Sequence, residues 1–151
     1  MPQSLANLCV HLIFSTKDRY PYLKDDSIRK EVWHYLGGIC NGLECQPVIV
    51  GGYHDHIHLL ARQSKNIALK DWVRELKRAS SIWIKSQRTQ LNSFQWQSGY
   101  GAFSVSQSSV DEVRKYIIGQ DSHHQRISFQ EEFRIFLVRS GMDFDERYVW
   151  D

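Results

Sequence analysis

Cysteine is scarce in this chain: only Cys9, Cys40 and Cys45 occur, and no two of them form a C-x-x-C pair. An odd count without that spacing argues against a disulfide framework or a cysteine zinc site, and fits reduced thiols in a core. No run of about 18 apolar residues is present, which sets aside a membrane-spanning helix. The opening Met1-Pro2-Gln3-Ser4 shows no basic stretch followed by an apolar one. Nothing there directs secretion, so the expected location is the cytoplasm. The charge also lacks a strong bias, with a net value of +2 and a sequence pI near 8.4. Global charge therefore does not by itself call for nucleic acid, and local patterning must carry that case. Internal repeats, low-complexity segments and an H-E-x-x-H zinc motif are all missing. What is there is 151 residues with 42% hydrophobic and 24% charged content. That is enough for one globular domain, 1–151, with a real core and too little for two.

Residues 7–15 form a β-rich apolar run in which Leu8, Val10, Leu12 and Phe14 alternate with Cys9, His11 and Ile13. This pattern predicts a buried central strand. A polar turn around Pro21 leads to Asp25 or Asp26, either of which can cap a helix carrying Ile28, Val32, Tyr35, Leu36 and Ile39. Gly37-Gly38 weakens that helix toward its end. From Glu44 the period becomes two, through Val48 and Val50 to Gly51-Gly52 and on to Ile57, Leu59 and Ala61. Two antiparallel strands joined by a tight turn are expected.

A helix from about Asn66 to Gln87 follows, with Leu69, Trp72, Val73, Leu76, Ser80 and Trp83 on one stripe. Its other side carries Lys70, Arg74, Lys77, Arg78, Lys85 and Arg88. Trp96–Ser106 suits a strand, and Ser108 or Ser109 with Glu112 suits a capping box before the next helix. Residues 128–141 read as a last short helix packed through Phe129, Phe133, Phe136 and Leu137, with a packing or dimer-contact role. The order β-α-β-β-α-β followed by helices predicts an α+β, ferredoxin-like split β-α-β sandwich. Its antiparallel sheet would carry helices on one face and leave the other free for a site.

In G-G-Y-H-D-H-I-H-L-L, strand alternation places His54, His56 and His58 on one face and Ile57 and Leu59 on the other. Two imidazoles two residues apart can point at one cation from a rigid support. The bland explanation is a set of solvated or hydrogen-bonded histidines at a strand edge. Farther along, Glu112, Tyr116 and Gln120 descend one side of a helix at steps of four. A phenol ionises near pH 10, so as a nucleophile it needs a nearby metal or base and a polarised phosphate. Gln120 offers a hard oxygen, and two nitrogens with one oxygen suit octahedral Mg²⁺ or Mn²⁺. The competing explanation is a packed Tyr116 followed by a surface Gln120.

Four segments in this order, L-I-F-S-T-K-D-R-Y-P, H-D-H-I-H, Q-W-Q-S-G-Y-G-A-F-S-V-S and Y-I-I-G-Q, resemble single-tyrosine transposases of the insertion-sequence two-hundred type, including REP-associated relatives, in the HUH endonuclease superfamily. The resemblance covers nearly the whole chain. It implies a DNA transposase, a metal-dependent single-strand endonuclease and strand transferase. His56 and His58 would then be metal ligands, Gln120 the third ligand, and Tyr116 the nucleophile forming a 5′-phosphotyrosine and freeing a 3′-hydroxyl. It also implies homodimers in which the tyrosine helix of one subunit completes the other's site, and single-stranded DNA with hairpins as partner. Because the covalent bond keeps the phosphodiester energy, no nucleotide cofactor is expected. Lys70, Arg74, Lys77, Arg78 and Lys85 would form a phosphate-binding face. His54 departs from the small or turn residue expected at its position. Two other readings are a domesticated hairpin-nicking relative and a non-catalytic ferredoxin-like nucleic-acid-binding module.

Overall fold

Strand β1 (Cys9–Ser15) is buried on both faces, and its unbroken apolar run fits an interior place in a sheet. The computed structural model describes residues 2–124 and 126–151. After β1 come α1 (Asp26–Gly42), β2 (Gln46–Gly52), β3 (His56–Arg62), α2 (Leu69–Gln87) and β4 (Gly101–Val105). Then follow α3 (Val110–Ile118), α4 (Gln120–His123) and α5 (Phe129–Arg139). All strand pairs are antiparallel and the order is β2-β3-β1-β4. This is the α+β, ferredoxin-like split β-α-β sandwich expected from the element order.

Helices α1 and α2 cover one face. There Leu12, Phe14, Ile57 and Leu59 meet Ile28, Val32, Leu36, Trp72 and Leu76 in the larger core. The other face, expected to stay free, is covered by the C-terminal helices. Val110 and Ile117 of α3 pack on Cys9 and Leu60, while Phe129, Phe133 and Leu137 of α5 pack with Ile13 and Phe103. Ile13 and Phe103 are too apolar to face water, and the aromatic stripe of α5 needs a surface to bury; each satisfies the other. Register fixes what lies beneath these helices. Ile13 pairs with His58 and Ser15 with His56, so both histidines point into the layer between sheet and C-terminal helices.

Local chemistry agrees with sequence expectation at some ends and departs at others. The Asp25 carboxylate accepts from the Ser27 and Ile28 N–H groups and caps α1, which then runs through Gly37-Gly38 to Gly42. The capping box expected before α3 is not formed. A 3₁₀ turn over Gln107–Ser109 leads in, Ser109 already has helical dihedrals, and its side chain caps nothing. The expected strand over Trp96–Ser106 shortens to β4, because the backbone at 97–99 turns to other partners, including the Lys77 ammonium. All three cysteines are buried free thiols, and burial pushes Cys40 up to about 12. Among the described residues no helix is long and apolar enough to cross a membrane.

Candidate functional site

β3 carries His56 and His58 on the same side with Ile57 between them in the core, and all three are fully buried. His54 does not share that row. It lies in the loop between β2 and β3, where its carbonyl accepts from the Leu23 N–H at 2.9 Å and its ring stacks on Tyr53. The strand starts only at His56 because the Tyr53 N–H closes the turn onto the His56 carbonyl.

Each of the two imidazoles is held from behind. His56 Nδ1 lies 2.7 Å from Asp55 Oδ1, and His58 Nδ1 lies 2.8 Å from His11 Nε2. Such outer partners fix ring orientation in histidines that ligate metals. His56 Nε2 in turn faces the Gln120 Oε1, 3.2 Å away. A ring nitrogen and an amide oxygen turned toward each other are donor atoms that a cation could share. Burial pushes His58 down to about 4, so it is neutral at pH 7 with a lone pair available.

The helix expected to carry Tyr116 and Gln120 divides at Gly119 into α3 and α4, yet both side chains still reach the histidines. Gln120 is buried, and its Nε2 donates to Glu132 Oε2 at 3.1 Å. The Tyr116 hydroxyl donates to the same Glu132 oxygen and lies 3.2 Å from His123 Nε2. Burial raises the Tyr116 phenol above its ordinary value, and the Glu132 charge raises it further. The seat of α3 depends on a glycine: a Cβ at Gly51 would come within 2.7 Å of Ile117 Cγ2 and 3.0 Å of its carbonyl oxygen.

Glu132 was not foreseen, since the segment from Phe129 onward was expected to serve packing or dimer contact. It is 2% exposed, and its Oε1 lies 2.9 Å from His58 Nε2 and 3.2 Å from His124 Nε2. Burial works to raise its carboxyl, but the closely set His124, His58 and His56 imidazoles outweigh this and hold it well below the carboxylate range. One signal was legible: Glu132 sits between Phe129 and Phe133 on an otherwise aromatic stripe, where an unpaired carboxylate would be costly. For His11 the signal was its place on the same side of β1 as Cys9 and Ile13. His123 ends the short α4 and His124 caps it, and no periodicity marks so short a helix. Thus His56, His58, Tyr116 and Gln120 meet within one chain, joined by Glu132, His124 and His123.

The five basic residues of α2 do not form a uniform face. Lys70 and Lys85 are exposed. Arg74 pairs with Asp71 at 2.9 Å, and Arg78 pairs with Glu75. The Lys77 ammonium instead donates to the Gln97, Ser98 and Gly99 carbonyls at 2.8, 3.1 and 2.6 Å and lies over the Phe14 ring.

The fold is shared with solved structures. One is a transposase candidate from Deinococcus radiodurans R1, 23% identical, with a TM-score of 0.61, covering 80% of this chain and 95% of that one. Another is a REP-associated tyrosine transposase bound to a REP hairpin, 11% identical, with a TM-score of 0.60, covering 84% of this chain and 74% of that one. No curated protein matches the sequence significantly. The IS200-like transposase family matches residues 4–120, and the chain belongs to that family.

Proposed function

We propose that this protein cleaves and rejoins single-stranded DNA at the ends of an insertion sequence through a transient covalent bond to Tyr116, with one divalent cation held by His56, His58 and Gln120. The observation that carries this reading is the convergence of those three side chains with the Tyr116 hydroxyl in one buried cluster. Family membership makes DNA the substrate class. The neutral His58 lone pair, the Asp55-oriented His56 and the opposed Gln120 oxygen fit a hard divalent ion such as Mg²⁺ or Mn²⁺. Such an ion would supply charge compensation to a non-bridging phosphate oxygen.

The chain's own groups do the rest. The Tyr116 oxygen attacks phosphorus, the bond to the 3′-oxygen breaks, and a 5′-phosphotyrosine and a 3′-hydroxyl result. His123 Nε2, within hydrogen-bond reach of the phenol, takes its proton, while the Glu132 carboxylate orients the hydroxyl. Reversal by another 3′-hydroxyl rejoins the strand without external energy. Lys70 and Lys85, exposed on α2, are placed to meet DNA phosphates, and a hairpin is the favoured form because the structural relative is bound to one. Each chain holds its own Tyr116 beside its own histidines, which favours cleavage in cis.

The test is a denaturing-gel assay with element-end single strands and Mn²⁺ or Mg²⁺. A protein–DNA adduct is expected for the wild type, with none for Tyr116→Phe and at least about a hundredfold less for His56→Ala. An adduct of equal yield in Tyr116→Phe would overturn the assignment of the nucleophile.

A further inference from the structure

The Glu132 carboxylate faces two ways. Its Oε1 is surrounded by three imidazole nitrogens, the Nε2 atoms of His58, His124 and His56, at 2.9, 3.2 and 3.6 Å. Its Oε2 holds the Tyr116 hydroxyl and the Gln120 amide. One donor atom from each of His56, His58, His124 and Glu132 lies within 4.8 Å of the others. His124 is the telling member. Its side chain is 1% exposed, yet Nε2 lacks a hydrogen bond of acceptable alignment despite its approach to Glu132. A buried ring nitrogen aimed into such a cluster without a partner is costly unless something else occupies its lone pair.

An ion bound at about 2.1 Å spaces tetrahedral donors about 3.4 Å apart, close to the three separations above. Three imidazoles and one carboxylate form a nitrogen-rich set, unlike the two nitrogens and one amide oxygen of the reading on which this inference rests. Mg²⁺ prefers oxygen donors in an octahedron and keeps several waters, whereas Co²⁺ and Zn²⁺ accept imidazoles at low coordination number.

We propose that, before DNA binds, His56, His58, His124 and Glu132 together hold a transition-metal ion, with selectivity for Co²⁺ and Zn²⁺ over Mg²⁺. Glu132 links that ion to Tyr116: one oxygen meets the ion while the other keeps the phenol beside it. His124 and Glu132 are thereby ligands supplied by the C-terminal segment, outside the His56, His58 and Gln120 set.

Titration of the metal-stripped full chain with Co²⁺, Zn²⁺ and Mg²⁺, followed by calorimetry and by visible absorption, tests this without DNA. Co²⁺ and Zn²⁺ are expected to bind at least about a hundredfold more tightly than Mg²⁺, with the intense visible bands of a low-coordinate Co²⁺ site. His124→Ala and Glu132→Gln should each weaken Co²⁺ binding by roughly tenfold or more, and Gln120→Ala by much less. The wild-type Co²⁺ spectrum needs no variant and remains decisive should either variant fail to fold. Weak bands of a six-coordinate ion, or Co²⁺ affinity lost in Gln120→Ala and retained in His124→Ala and Glu132→Gln, would overturn the four-ligand site. Failure here is separable from failure of the proposed function: tight Co²⁺ binding with no DNA adduct sinks only the reaction, and adducts with a six-coordinate Co²⁺ spectrum sink only this site.

Discussion

Lys77 illustrates how a single residue on the polar side of a helix can be committed inward. Its ammonium serves three carbonyls at the 97–99 turn, and burial pushes it down to about 8 from the ordinary 10.5. The unfolded chain keeps the proton up to about 10.5, while the native chain releases it through about 8. Between those values the unfolded state binds more protons, so this residue makes stability rise with pH. The contribution is about 2 kcal/mol once screening of a partly exposed group is allowed for. Urea midpoints at pH 7.5 and 10.5 check the sign: the stability of the wild type relative to Lys77→Met should grow with pH, and a constant or shrinking gap would contradict it. At pH 7.5 the substitution itself should cost about 1–3 kcal/mol, because three carbonyls lose their donor. Helical spacing put Lys77 with Lys70 and Arg74, and nothing in that spacing could show a contact with a turn twenty residues away.

At the scale of elements, α3 is the part on which the site turns, because it must hold Tyr116 against β3. It packs so closely on β2 that the Ile117 side chain and carbonyl oxygen occupy the space a Cβ at Gly51 would need. Gly51→Ala is therefore expected to displace α3, at a cost of about 1–3 kcal/mol, and to reduce adduct yield more than the stability loss alone explains. Thermal melts beside the adduct assay would show this, and an unchanged Tm with full yield would mean that α3 is seated otherwise. The strands were readable because a period of two with apolar ends leaves one solution: β1 central, His56 and His58 on the side opposite Ile57 and Leu59. Where β3 begins was not readable, since alternation runs equally well through His54, and only the Tyr53-to-His56 backbone bond ends it. The break at Gly119 escaped for a similar reason, as steps of four from Glu112 through Tyr116 to Gln120 are the same whether or not the helix is continuous. Glu132 was readable in principle, as the one carboxylate within the Phe129, Phe133, Phe136 stripe.

For the molecule as a whole, the consequence of this layering is that the site is a joint between parts far apart in the chain. His56 and His58 come from the sheet, Gln120 and His124 from α4 and the turn after it, and Glu132 from α5. An ion bound there would tie the sheet to its C-terminal cover, and the unfolded chain would hold no such site. Binding to the native state alone stabilises it by about 2.7 kcal/mol at a concentration one hundred times Kd. For a domain of this size that corresponds to roughly 5–10 °C in Tm. Scanning calorimetry with increasing Mn²⁺ should show this rise, still climbing with the logarithm of concentration, and Lys70→Ala should retain it. His56→Ala should abolish it, because the ion loses a ligand fixed to the sheet and with it the link between the two layers. A rise of equal size in His56→Ala would mean that the ion acts elsewhere on the surface, and that the convergence of sheet, α4 and α5 on this cluster is sustained by its internal hydrogen bonds alone.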